Sequence, residues 1–309
     1  MTFSPGPWTS LERPPLRQDA LRRALTGGDA PAWRAVEVVA RTGSTNADLA
    51  ARARAGEPAG LVLATDDQVA GRGRLAREWT VPPRSSVAVS VLVAPRVPVS
   101  GWGWLPLLTG LSVVRALTRV AGLPAVLKWP NDVLVPAPAG PGGGPGQEEL
   151  RKVCGILAET VQAPAGPAAV VGIGINVSQD VAELPVPTAI SLRLAGAATT
   201  DRDTVLRAVL RQLAADLRTW EDAGGAPRAS GIGAAYREAC TTIGRRVAVH
   251  LPGRGPLTGT AEGVDDEGRL LVRDDAGGDH ALAAGDVVHV RPDGGPDAPP
   301  EGRPAGQKA

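Results

Sequence analysis

Gly71-Arg72-Gly73-Arg74-Leu75-Ala76-Arg77-Glu78-Trp79-Thr80-Val81-Pro82-Pro83 is the stretch that decides what fold this chain can have. Its first six residues satisfy the dinucleotide pattern GxGxxA. That pattern works only where a helix follows at once, because the pyrophosphate rests on the helix N-terminus. Pro82 and Pro83 forbid a helix over this stretch. A Rossmann unit is therefore rejected. No GxxxxGK[ST] occurs either, so P-loop chemistry is excluded. What remains is a loop of unusual chemistry. Glycines allow close approach of backbone to a ligand. Arginines supply rigid donor forks that match carboxylate and phosphate oxygens. An indole can cover a flat heterocycle. A solvated basic turn would share this composition, so the neighbouring segments must decide.

Upstream, 16–26 reads as a short helix and 36–40 as a strand. Thr45 followed by Asp48 is a capping-box spacing, with a helix from Asn46 stopping near Gly56. Strands are expected over 61–65 and 86–93, the second with alternating valines. Downstream, 105–121 carries one apolar stripe from Leu107 to Val120, with Pro106 in its first turn and Gly122 at its end. Strands over 126–129 and 133–135 flank a turn at Pro130-Asn131-Asp132. Two further apolar strands cover 153–160 and 168–177. A second long amphipathic helix spans 204–220, capped by Asp203. After 243, short strands and turn signals replace helices: 246–251, 257–263, 270–273 and 287–290, with a hairpin turn at Asp265-Asp266-Glu267-Gly268. Segment 136–147 is a Pro/Gly-rich hairpin insertion, and 292–309 has the composition of a disordered tail.

The chain has 309 residues, 43% hydrophobic, with a formal net charge of +1. That charge gives no global field to draw it onto nucleic acid. No uncharged apolar run is long enough to span a bilayer. Cys154 and Cys240 are far apart and form no CxxC, which argues against a disulfide framework or a zinc cluster. A soluble cytoplasmic protein is expected.

Three more clusters accompany the arginine-glycine loop. Lys128-Trp129-Pro130-Asn131-Asp132 puts a lysine at a strand end beside a turn. Lys152 begins the apolar strand Val153-Cys154-Gly155-Ile156-Leu157. Gly172-Ile173-Gly174-Ile175-Asn176 places glycines inside a strand, a mark of close approach, with an amide at its end. Each has a bland alternative: an ordinary turn, a solvated charge, a packed strand.

Taken in order, these segments are specific. With Gly43-Ser44-Thr45-Asn46 and Gln68, they make the chain resemble the biotin–protein ligases over about residues 34–291. Trp102-Gly103-Trp104 is similar to the actinobacterial type. The resemblance implies an α+β fold: a mixed sheet with flanking helices, like that of class II aminoacyl-tRNA synthetases, then an SH3-like β-barrel. The implied division is an N-terminal segment at 1–33, partly disordered, and a catalytic biotin/ATP domain at 34–242 with a flexible insertion at 136–149. A barrel at 243–291 and a tail at 292–309 follow.

By the same resemblance, Ser44, Thr45, Asn46, Gln68, Gly71, Arg72, Gly73, Arg74, Lys128 and Gly155 would bind biotin. Arg74, Arg77, Trp79, Asn131, Asp132, Lys152 and Asn176 would bind ATP or the adenylate, with Trp79 against the adenine. Arg74, Lys128 and Lys152 would be catalytic. Asp132 is a candidate to act through a metal. The substrates implied are biotin and ATP with Mg²⁺, with no prosthetic group. The acceptor would be the biotin carboxyl-carrier domain of an acyl-CoA or pyruvate carboxylase. The arginine-glycine loop would close over the adenylate. Neither cysteine and none of the histidines is given a catalytic role.

The short, Pro-rich stretch before Gly43 offers no recognition helix, so a monofunctional ligase without specific DNA binding is expected, as a monomer or weak homodimer. The insertion at 136–149 separates Lys128 from Lys152 further than the family pattern suggests. Two other readings stay open: a lipoate–protein ligase sharing the adenylate chemistry, and a non-catalytic biotin-sensing regulator.

Overall fold

In chain order, the elements are α1 (Gln18–Thr26), β1 (Ala35–Val39), α2 (Thr45–Arg54), β2 (Leu61–Thr65), β3 (Gly71–Arg72), β4 (Glu78–Trp79) and β5 (Ser86–Val93). They continue as α3 (Trp104–Ala121), β6 (Val126–Lys128), β7 (Asp132–Pro136), β8 (Leu150–Ala163), β9 (Gly166–Asn176), α4 (Arg202–Asp222) and α5 (Ile232–Ala239). Five strands close the order: β10 (Arg246–His250), β11 (Leu257–Val264), β12 (Leu270–Asp274), β13 (Asp279–Leu282) and β14 (Asp286–His289). The computed structural model describes residues 13–28, 31–74, 77–138, 149–250, 255–283 and 285–289. The readings placed on 1–12, on 139–148 of the insertion, on Leu75-Ala76 of the loop and on 292–309 lie outside these.

Seven strands form one mixed sheet in the order β1-β2-β5-β9-β8-β7-β6. β1 and β2 run parallel and the other neighbours antiparallel. Alternation sorts the side chains to two faces. One face carries Val87, Val89, Val91, Ile173, Ile175, Cys154 and Ile156, which join the main core with Leu105, Leu108 and Leu111 of α3 and Leu206, Leu210 and Leu213 of α4. The other face is covered in part by α2, where Leu49, Ala50 and Ala53 pack on Leu61, Leu63, Leu92 and Val170. α2 is short and leaves the rest of that face to other occupants. The second unit is a five-stranded antiparallel sheet, β13-β12-β11-β10-β14. An α+β chain with a mixed sheet and a C-terminal β unit is what the sequence implied.

Several details differ from the sequence reading. Ser44, not Thr45, caps α2, accepting from Ala47 N at 3.4 Å. Asp48 instead accepts a hydrogen bond from the Thr42 hydroxyl. α4 starts at Arg202 rather than Thr204, and its cap is Asp201. Asp203 is turned to Arg17, whose Nε lies 2.8 Å from its Oδ2. β3 and β4 pair antiparallel, with Gly71 opposite Trp79 and Arg72 opposite Glu78. α5 and β13 were not anticipated.

Candidate functional site

The uncovered part of the α2 face is built from very small residues. Gly172, Gly174 and Asn176 alternate along β9, so all three face the same side while Ile173 and Ile175 enter the core. The register lines them up across the sheet. Leu157, Gly172 and Ser90 form one transverse row. Lys128, Asp132, Gly155, Gly174 and Ala88 form the next. Three of the four sequence clusters, far apart in the chain, thus meet in a single cross-strand line.

Each glycine is there because something lies on top of it. A Cβ at Gly172 would stand 2.3 Å from Asn46 Oδ1. One at Gly174 would stand 2.8 Å from the Trp79 indole, and one at Gly155 would stand 3.3 Å from both that indole and Lys152 Cε. Gly71 is equally constrained, since its Cβ would meet Gln68 Nε2 at 2.4 Å. Among the described residues no such clash exists at Gly73, where the nearest atom is 3.7 Å away.

Above the first row lies a buried polar chain. Asn46 Nδ2 donates to Glu159 Oε2 at 2.7 Å and to Leu157 O at 3.2 Å, while Ser90 Oγ donates to Asn46 Oδ1 at 2.6 Å. Thr45 Oγ1 lies 2.7 Å from Ser90 Oγ, and Gln68 Oε1 accepts from Thr45 N at 3.0 Å. Thr45 is 3% exposed and Ser90 0%, so each of these bonds satisfies a group that water cannot reach. The loops carrying Ser44 and Gln68 run side by side: Thr42 N donates to Asp67 O at 2.9 Å, and Val69 N to Thr42 O at 3.0 Å. These contacts hold Ser44, Thr45, Asn46 and Gln68 as one unit.

Charge gathers over the second row. Lys152 Nζ stands 2.8 Å from Asp132 Oδ1 and 5.9 Å from the Trp79 ring centroid. The lysine–aspartate contact is a charge pair rather than a well-aligned hydrogen bond, since Asp132 Oδ1 has no hydrogen-bond partner among the described residues. Lys128 sits opposite Asp132 across the β6–β7 turn. The indole N–H of Trp79 is buried and also lacks a hydrogen-bond partner among the described residues. Arg72, Gly73 and Arg74 line a cavity of about 660 Å³ together with Trp129, Pro130, Asn131 and residues 156–160 of β8. Arg77 is exposed beside this loop, with Gly73 N donating to its carbonyl at 2.7 Å.

Asn131 and Asn176 have structural partners. Asn131 Nδ2 donates to Ile156 O at 3.0 Å, and Ile156 N returns a bond to Asn131 O at 3.0 Å. Asn176 donates to Ile190 O at 3.3 Å and accepts from Gln179 Nε2 at 3.2 Å. Cys154 is fully buried behind the site, and burial pushes its thiol far up, so it is no thiolate nucleophile at neutral pH.

The β unit reaches the same turn. Trp129 Nε1 donates to Gly268 O at 3.3 Å, and Trp104 Nε1 to Asp265 O at 3.1 Å. Trp129 N donates to Thr242 Oγ1 at 3.1 Å, which lies 3.2 Å from His289 Nε2. Gly103 and Gly268 touch backbone to backbone, and a Cβ at Gly103 would collide with Glu267 O. Gly103 and Trp104 therefore dock the 265–269 turn, whereas the Trp102 indole donates to Val97 O.

Ser90, Glu159 and Gln179 escaped the sequence reading. Ser90 had a faint signal, a hydroxyl within a run of valines; the other two had none. Among the described residues no group of three or more His, Cys, Asp or Glu side chains is placed to hold a metal ion, and no helix is long and apolar enough to cross a membrane.

Comparison with known proteins defines the class. Residues 38–176 match the Biotin/lipoate A/B protein ligase family, and residues 242–290 match the Biotin protein ligase C terminal domain. The chain is 42% identical over 284 residues to the Biotin--[acetyl-CoA-carboxylase] ligase of Mycobacterium tuberculosis, covering 90% of this chain and 97% of that one. It is 30% identical over 224 residues to the Bifunctional ligase/repressor BirA of Bacillus subtilis, covering 71% of this chain and 63% of the other. The biotin protein ligase from Aquifex aeolicus, solved in complex with biotin and ATP, aligns with a TM-score of 0.64 at 27% identity, over 84% of this chain and 100% of that one. The chain belongs to the biotin protein ligase family.

Proposed function

We propose that this chain activates biotin with ATP to biotinyl-5′-AMP and then transfers the biotinyl group to a lysine of a carboxylase carrier domain. The observation that carries this reading is the cross-strand row of Lys128, Asp132, Gly155 and Gly174, with Lys152 and Trp79 laid over it.

In the first step an oxygen of the biotin carboxylate attacks the α-phosphorus of ATP and pyrophosphate leaves. Both reactants are anions. Fixed cations must screen their repulsion, and preorganised charge in a water-poor site does this without reorganisation cost. Lys128, Lys152 and Arg74 are the side chains we assign to that task. Asp132 holds Lys152 by charge and aims its ammonium along the row. Mg²⁺ would enter with ATP and neutralise charge on the triphosphate, and Asp132 is the carboxylate that would help hold it. In the second step the carrier's amine attacks the anhydride carbonyl, AMP leaves and a proton is released. No enzyme nucleophile is needed.

The polar chain from Gln68 through Thr45 and Ser90 to Asn46 is assigned to biotin, together with Ser44, Gly71, Arg72, Gly73 and the Gly155 floor. A ring system presenting ureido donors and acceptors fits groups of that kind. Trp79, Arg77 and Asn131 are assigned to the adenylate, with Asn176 behind them. The acceptor we expect is the carrier domain of an acyl-CoA or pyruvate carboxylase in the cytoplasm.

The test is direct. The protein, ATP-Mg²⁺ and a carboxylase carrier domain are mixed with biotin or with lipoate, and the carrier is weighed by mass spectrometry. A biotinyl mass gain with biotin alone is expected. Gain with lipoate would move the chain to the other ligases of the family, and no gain with either would sink the reading.

A further inference from the structure

We propose that Gln179 is a positioning residue for Lys152, acting through Asn176 and the chain segment 188–190. The inference rests on the ligase reading above for its assay, but its structural basis is independent of it.

Strand β9 stops short of Lys152. Its ladder with β8 begins at Cys154 opposite Ile175. Beyond that point the chain leaves the sheet, makes a loop over 177–191, and returns. The loop closes at its neck, where Leu192 N donates to Asn176 O at 3.0 Å and Arg193 N to Val177 O at 2.9 Å, the closed form of a compact Ω-loop. Its returning arm takes the place of the missing strand. Lys152 N donates to Thr188 O at 2.8 Å, and Ile190 N donates to Lys152 O at 2.9 Å. Both backbone groups of Lys152 are therefore held by the loop.

What fixes the arm is a pair of buried amides. Asn176 Nδ2 grips Ile190 O, and Gln179 Nε2 fixes the Asn176 amide by donating to its Oδ1 at 3.2 Å. Gln179 is 0% exposed and Asn176 1%. Ser191 Oγ anchors Gln179 in turn, donating to its carbonyl at 2.7 Å. The relay runs Ser191, Gln179, Asn176, Ile190, Lys152, and ends on the ammonium paired with Asp132.

A purely structural account would make Gln179 a space-filler that satisfies its neighbours. One observation speaks against that. Gln179 Oε1 is buried with no hydrogen-bond partner among the described residues, so the residue carries a desolvation cost that a methionine of similar length would not. Its donor side is what the site uses. Both faces of the Asn176 amide are occupied within the protein, so Asn176 acts here as the middle of the relay.

The test is Gln179→Met, which keeps length and volume and removes the donor. Biotin- and ATP-dependent pyrophosphate release is measured, with biotin affinity by calorimetry and thermal stability alongside. We expect kcat/KM for ATP to fall roughly 10- to 100-fold, the scale of a misplaced catalytic group. Biotin affinity should stay within about twofold, because the relay does not touch the Gln68–Thr45–Ser90–Asn46 chain assigned to biotin. The melting temperature should change little, since the hydrogen bond lost at Asn176 Oδ1 is offset by removal of the unpartnered Gln179 Oε1. Hydrogen exchange of the Lys152 amide should quicken. Should Gln179→Met fold poorly, Ser191→Ala, which loosens the same relay from its far end, should show the same split at smaller size. Unchanged kcat/KM for ATP in both variants, or equal loss for ATP and biotin, overturns the proposal. An inactive wild-type protein would instead overturn the ligase reading, and the exchange measurement would still judge the relay.

Discussion

Replacing Gly172 with alanine tests how the row we assign to biotin is held. The new Cβ would stand 2.3 Å from Asn46 Oδ1 and 3.0 Å from Asn46 Cγ, closer than side-chain carbons approach. The backbone of β9 is locked between β8 and β5, so the Asn46 amide is what must move. Moving it breaks the bond from Ser90 at 2.6 Å and strains those to Glu159 at 2.7 Å and Leu157 at 3.2 Å. At about 1 kcal/mol net for each bond, the loss is roughly 2–3 kcal/mol. Alanine also restricts the unfolded chain, which returns about 0.4–1 kcal/mol of stability. Thermal stability should therefore fall only modestly. Biotin affinity has no such offset. If the displaced amide and the Ser90 and Thr45 hydroxyls it orients serve biotin, Kd should rise roughly 30- to 150-fold. A double-mutant cycle with Asn46→Ala isolates the cause. Once the amide is gone the Cβ has nothing to strike, so Gly172→Ala should cost less than about threefold in that background. Titration calorimetry on the four proteins measures this. The same fold loss with and without Asn46, or no loss at all, would refute the argument.

Three further outcomes follow from the geometry. Lys152→Met should lower the rate of pyrophosphate release by about 10²- to 10³-fold, since one preorganised charge contact contributes roughly 3–4 kcal/mol to the transition state, and near-wild-type turnover in a stopped assay would remove Lys152 from the reacting centre. The Arg13 guanidinium holds the Glu183 carboxyl below its usual range. The pair's contribution is thus complete above the ordinary carboxylate value of 4.5 and is lost as pH falls through the depressed folded value. Arg13→Ala should cost about 1 kcal/mol or less at pH 7, and its melting temperature should approach the wild-type value at pH 3; a gap that widens with acid contradicts the assignment. Because Cys154 and Cys240 are both buried, maleimide should leave the native protein unmodified by mass and fully active, whereas rapid labelling with inactivation would show a thiol where the structure has none accessible.

The parts of the fold legible in the sequence were those governed by local rules. Strands 61–65 and 86–93 have the bounds their valine and leucine patterns indicated, and the end of α3 at Gly122 follows from its left-handed φ of +67°. The misplaced ends share one cause. Asp201 and Asp203 are equally good caps for α4 in isolation, and the choice is made by Arg17, which claims Asp203 from more than 180 residues away. Likewise Thr45 could have capped α2, but Gln68 and Ser90 use its hydroxyl, so Ser44 takes the position. Tertiary partners decided between locally equivalent residues. The site was legible for the same reason in reverse. Glycine at 155, 172 and 174 is a backbone constraint visible in one sequence, whereas Ser90, Glu159 and Gln179 matter only through partners that no spacing reveals.

The C-terminal unit is the clearest case of what the sequence alone understates. Read along the chain, it is an appended set of short strands. In the structure it completes the turn that carries Lys128 and Asp132. Trp104 and Trp129 are 2% and 1% exposed, and their indole N–H groups donate to Asp265 O and Gly268 O of that unit. Without the 265–269 turn, two buried indole donors would lose their acceptors. Each lost acceptor costs about 1–3 kcal/mol. Trp129 adjoins Lys128 and, through Pro130, the Asn131-Asp132 pair, so that disturbance falls directly on the charged row. The β unit is thus part of the support of the turn to which we assign the reaction rather than a separable handle.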